Sequence, residues 1–76
     1  MYYVIEITNY ADGTTPTSKG IYSYPTVTEA VATFHSKMGG AMKNVNYANE
    51  LLIVVDADGG IIKDEYWARP IAQEEN

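Results

Sequence analysis

Seventy-six residues make one domain near the lower size limit for a self-sufficient core, and the absence of cysteine excludes a disulfide staple and a thiolate metal site. Ten acidic residues against five basic ones give a net charge of −5, which argues against direct nucleic-acid binding, because phosphate attraction supplies most non-specific affinity. Oligomerisation is then the remaining aid to so small a fold, while the acidity suits a basic protein partner or simple solubility.

The opening MYYVIEI carries no basic segment before its apolar residues, so it reads as neither a signal peptide nor an anchor. No apolar run approaches the roughly 20 residues of a membrane span, and the expectation is a cytoplasmic protein. Residues 2–9 alternate, with Tyr3, Ile5 and Ile7 on one face and Tyr2, Val4, Glu6 and Thr8 on the other, a strand pattern. ADGTTPTSKG is turn-rich, with Asp12-Gly13 as the turn and Pro16 barring continued pairing. A second strand follows at 19–24, with Tyr22 and Tyr24 on one face, completing a hairpin.

Pro25 stops that strand, and T-V-T-E at 26–29 fits a capping box in which Thr26 caps and Glu29 reaches back. Val27, Ala30, Val31, Phe34, Met38, Ala41, Met42 and Val45 then recur at spacings of three and four, predicting one amphipathic helix over 27–44. The stripe stays in phase across Gly39-Gly40. This predicts a continuous helix whose backbone closely approaches the sheet, a second chain or a ligand, at about 1 kcal/mol of lost propensity per glycine, with a kink at the glycines as the alternative.

NYANE reads as a polar connection, and ELLIVVD at 50–56 as a central strand covered on both faces. Asp58-Gly59 is the next hairpin turn. The last strand, 61–68, puts Ile62 and Tyr66 inward and Lys63, Glu65, Trp67 and Arg69 on the opposite face. Pro70 ends it, so residues 1–70 form the single domain and 71–76 a polar tail. The order β-β-α-β-β predicts an α+β fold, a four-stranded antiparallel sheet of order 2-1-3-4 with the helix across one face. The other face, expected to carry Tyr2, Val4, Ile21, half of LLIVV and Trp67, is too apolar to leave in water, and a second copy is its simplest cover.

Nothing in the chain assembles a catalytic centre. His35, the single histidine, sits at the edge of the helix stripe without a sequence-evident partner. D-A-D-G at 56–59 begins like a calcium loop, but Ile61 stands where the loop needs glycine and Trp67 where it needs the closing acid. Asp64 and Glu65 fall on opposite faces of a strand, and GGAMK lacks phosphate-loop spacing. The prediction is therefore no enzyme, no metal and no cofactor.

The opening YYVIEI, the helix segment with Ala30, Phe34 and His35, the strand LLIVVDADGG and the closing E-Y-W-A-R resemble a set of very small proteins of bacteriophages and gut bacteria. That resemblance brings no activity and no functional residue. It implies a context in which tiny acidic proteins act stoichiometrically, as counter-defence factors or as accessory virion or replication proteins.

Recognition is what remains. Seven tyrosines, and Trp67 beside Arg69 on one strand face, supply stacking planes and an always-charged fork of donors. The leading expectation is a non-catalytic, oligomeric binding protein that sequesters a nucleotide-like signal between subunits, with Trp67, Arg69, Tyr66, Lys43, His35, Gly39 and Gly40 as the ligand-binding set. Lys63 is a further candidate charge for it. Two alternatives are an acidic inhibitor of a basic, nucleic-acid-binding host protein, and a self-assembling accessory protein whose partner is itself.

Overall fold

A computed structural model of the chain describes residues 1–70, and the expected polar tail at 71–76 lies outside the described residues. Strands β1 (Tyr2–Tyr10) and β2 (Ser18–Tyr24) form the first hairpin, helix α1 (Val27–Lys43) follows, and β3 (Tyr47–Asp56) and β4 (Ile61–Ala68) form the second. The four strands are antiparallel in the order β2-β1-β3-β4, and α1 packs on the sheet, touching every strand, so the fold is α+β as predicted. Gly13 at φ 75° and Gly59 at φ 87° supply the left-handed residues of the two hairpin loops.

Helix α1 starts where the capping pattern put it. Thr26 Oγ1 accepts from the Glu29 amide at 3.2 Å. Glu29 reaches back, but to the Thr26 hydroxyl, which donates to its carboxylate at 3.1 Å, and not to the Thr26 backbone. Ala30, Phe34, Met38 and Ala41 form the buried stripe; Val27 and Met42 lie at its exposed margins, and Val45 is past the helix end. The helix runs unbroken through Gly39-Gly40. A Cβ at either glycine would meet no atom of the described residues within 4 Å beyond the neighbouring helix backbone, so the expected close approach to this chain's own sheet is absent.

The core packs Phe34, Ala30 and Met38 against Val4, Leu52 and Val54, with Tyr2, Tyr24, Val31 and Trp67 around them. Fully burying one such large side chain contributes about 1.5–3 kcal/mol, so this small cluster holds the helix to the sheet. Two expectations are corrected by it. NYANE is no connection: β3 begins at Tyr47, and its first residues pair with Tyr10 and Asn9 across a bulge. The faces of β1 and β4 are also the reverse of those expected. Tyr2, Val4 and Trp67 turn toward the helix, whereas Tyr66 stands on the other face with 61 % of its surface exposed. The inverted parity becomes favourable because the polar residues it brings under the helix, Glu6, Thr8 and Glu50, find partners among themselves and on α1.

Candidate functional site

Two features of the sheet depart from an ordinary core, one on each face. Under the helix, Glu50 is 0 % exposed. Thr8, its register partner on β1, donates its hydroxyl to Glu50 Oε1, and Oε2 finds no donor among the described residues. Burial, followed by the hydrogen bond with the Glu6 carboxylate, pushes Glu50 up to about 8, with Thr8 pulling the other way. The Glu6 carboxylate beside it favours the protonated, uncharged form of Glu50, as for any two carboxyls in one site. Burial alone would raise Glu6; the Glu50 hydrogen bond and then Lys37 outweigh it and hold Glu6 below the ordinary range.

Lys37 reaches from α1 to Glu6 Oε1 at 3.3 Å, and its ammonium lies 4.1 Å from the centre of the Tyr22 ring. Burial lowers the Lys37 pKa, but the Glu6 hydrogen bond and charge more than offset it. Tyr22 also donates to Glu6 at 3.3 Å. Its ring occupies the place that a side chain at position 20 would take: a Cβ on Gly20 would lie 2.7 Å from the Tyr22 hydroxyl. Close approach within this chain therefore falls at Gly20, where a larger residue would require the Tyr22 ring to move. The cluster already holds its own cation and its acid is closed to solvent, so it locks the helix to the sheet. Among the described residues no group of three metal-ligating side chains forms.

Among the described residues, nothing packs over the opposite face. Across the strands in the order β2-β1-β3-β4, the register stacks Ser23-Tyr3-Val55-Ile61, then Ile21-Ile5-Ile53-Asp64, then Lys19-Ile7-Leu51-Tyr66. The inner residues are screened only by their neighbours in the sheet, and Ile21 at 71 % and Ile61 at 64 % are largely exposed. A groove of about 450 Å³ runs along the β1–β2 side, lined by Ile5, Glu6, Ile7, Lys19, Gly20 and Ile21. With strands about 4.8 Å apart and same-face residues about 6.8 Å apart, the three rows cover roughly 19 by 20 Å, apolar except for Ser23, Lys19 and Asp64 at the outer strands. A contiguous apolar patch on that scale is often functional.

The residues expected to bind a ligand do not converge. Arg69 Nε donates to the Tyr47 carbonyl at 3.0 Å, and Nη2 to the carbonyls of Asn44 at 2.6 Å and Met42 at 3.5 Å. The guanidinium thus closes the carbonyl end of α1 onto the start of β3, with its carbon 4.9 Å from the Trp67 ring centre. Trp67 packs against the core, while Tyr66 points to the bare face. His35 and Lys43 are exposed on α1, His35 edge-on to Phe34 at 5.3 Å, and Gly39 and Gly40 border open space. Lys63 lies on the helix side, 5.6 Å from the Phe34 ring centre. A second cavity of about 560 Å³ beside Tyr10, Ala11, Asp12, Thr15, Val45 and Asn46 carries no cation. Its Asp12 carboxylate is engaged by the amides of Thr14 and Thr15 and by the Thr15 hydroxyl.

No protein-family model matches the chain, and neither a curated protein nor a solved structure matches it. Among the described residues no helix is long and apolar enough to cross a membrane.

Proposed function

We propose that the protein is a non-catalytic, self-associating interaction module whose working surface is the bare face of its sheet. The observation that carries this reading is the unbroken apolar block of Ile5, Ile7, Leu51 and Ile53, flanked by Tyr3, Val55 and Ile21, on the face that α1 leaves uncovered. A stoichiometric role of this kind suits the very small phage and gut-bacterial proteins that the sequence resembles, as an accessory component or a blocking factor.

The nucleotide-sequestering alternative is weaker, since its anion contact, Arg69, is held by three carbonyls, two at the helix end and one at the start of β3. The acidic-inhibitor alternative is weaker too. Asp12 and Asp58 lie in loops at opposite ends of the sheet, so these two loop carboxylates do not share one surface.

The test is the oligomeric state. Light scattering at micromolar concentration should give at least a dimer for the parent chain, and Ile53→Glu, which sets a charge at the centre of the patch, should give a folded monomer. A parent chain that stays monomeric over that range overturns the reading.

A further inference from the structure

We infer that the bare face closes on a second copy about a two-fold axis parallel to the strands, so that Lys19 of each protomer meets the Asp64 edge of its partner. This rests on the self-association proposed above and adds its partner geometry. The first ground is charge. By strand alternation, Lys19 and Asp64 are the only ionisable carboxylate or ammonium side chains on this face among the described strands; Glu6, Glu50, Lys63 and Glu65 all turn to the helix side. Lys19 stands on β2 at one edge of the sheet and Asp64 on β4 at the other.

With the strands of the two sheets aligned, a two-fold face-to-face pair has two orientations, and they differ in what meets at those edges. An axis across the strands lays β2 over β2 and β4 over β4, bringing lysine toward lysine and aspartate toward aspartate. An axis along the strands, between β1 and β3, lays β2 over the partner's β4. Lys19 then stands over the row of Tyr66, one row of about 6.8 Å from Asp64, within the reach of a lysine side chain. The contact occurs twice, as an isologous interface requires. At the centre, the β1 residues Ile5 and Ile7 of each copy face β3 of the other, where Ile53 and Leu51 stand. Packing of two sheets about 10 Å apart is the ordinary geometry for such faces.

The second ground is the edge. Pairing of β4 with another chain's strand would bring along Lys63, Asp64 and Glu65, a run of charges of the kind that discourages edge-to-edge association. The face offers area without that penalty.

The experiment is a charge swap read by sedimentation equilibrium, with circular dichroism to confirm the fold; both sites are exposed strand positions. Lys19→Glu and Asp64→Lys each place like charges at both symmetry-related contacts and should weaken the dimer about tenfold. The double variant restores opposite charges and should return to within about threefold of the parent. A dimeric parent whose double variant is as weak as the singles, or whose singles are unaffected, overturns this geometry while leaving the self-association reading intact. A monomeric parent removes both.

Discussion

Glutamate at position 50 heads the apolar run LLIVV, and the fold closes over its side chain instead of turning it to water. Such burial is sustained by a proton. The folded protein holds it until pH about 8, whereas an unfolded glutamate releases it near 4.5. Between those values the native state binds more protons than the unfolded state, so this contribution is complete below pH 4.5 and lost as pH rises toward 8. The slope is at most about 1.4 kcal/mol per pH unit. Glu6 has the opposite sign: its lowered pKa gives stability present above 4.5 and lost as pH falls below it. Asp12, held at about 2 by the Thr15 hydroxyl and the Thr15 and Thr14 amides, acts in the same direction as Glu6. Stability should therefore peak at mildly acidic pH, below the usual optimum. Glu50→Gln keeps an acceptor for Thr8 and a donor for Glu6 without a titrating proton. Urea midpoints measured from about pH 5 to 8 should fall for the parent and stay nearly level for the variant. Equal slopes would place the proton elsewhere.

At the scale of the elements, helix α1 shows both what the sequence displays and what it hides. Thr26, Glu29 and the stripe of Ala30, Phe34, Met38 and Ala41 made its start, phase and buried face legible, because capping and helical periodicity are local properties. The role of Arg69 was not legible. Its partners are the carbonyls of residues 22 to 27 positions earlier in the chain, and nothing about an arginine after a strand announces a helix end. Strand parity failed for a related reason. In β1 both alternating sets, Tyr3-Ile5-Ile7 and Tyr2-Val4, are apolar, and the helix selects the set whose polar members meet Lys37 and Glu50. Of the neighbours expected at Gly39-Gly40, the chain's own sheet is absent, and the close approach within this chain lies instead at Gly20, beside Tyr22. Gly40→Ala should consequently stabilise the fold by up to about 1 kcal/mol, through helix propensity and a less flexible unfolded chain. Thermal melting checks the sign; a loss of stability or of assembly would assign the Gly39-Gly40 surface to an interface.

For the whole molecule, the arrangement sets a modest core against a bare face of similar character. One side of the sheet buries Val4, Leu52 and Val54 under the helix, while Ile5, Leu51 and Ile53 back onto the other side with no layer of the described residues above them. A two-layer domain without disulfides has little else to draw on, so closing the second face on another copy, as proposed, would couple assembly to stability. Association with the native state alone adds about 2.7 kcal/mol when the partner concentration is a hundred times its dissociation constant. For a chain of this length, each kcal/mol moves the melting temperature by roughly 4–8 °C. The melting temperature of the parent should therefore climb by several degrees between about 1 and 100 μM, if the dissociation constant lies near the low end of that range. Ile53→Glu, unable to pair its face, should melt at one temperature throughout, close to that of the dilute parent. Calorimetry across the concentration series reads both. A parent melting temperature that does not move, in a protein that light scattering finds dimeric, would mean that the contact contributes nothing to the fold and lies away from the Ile5-Ile53 face.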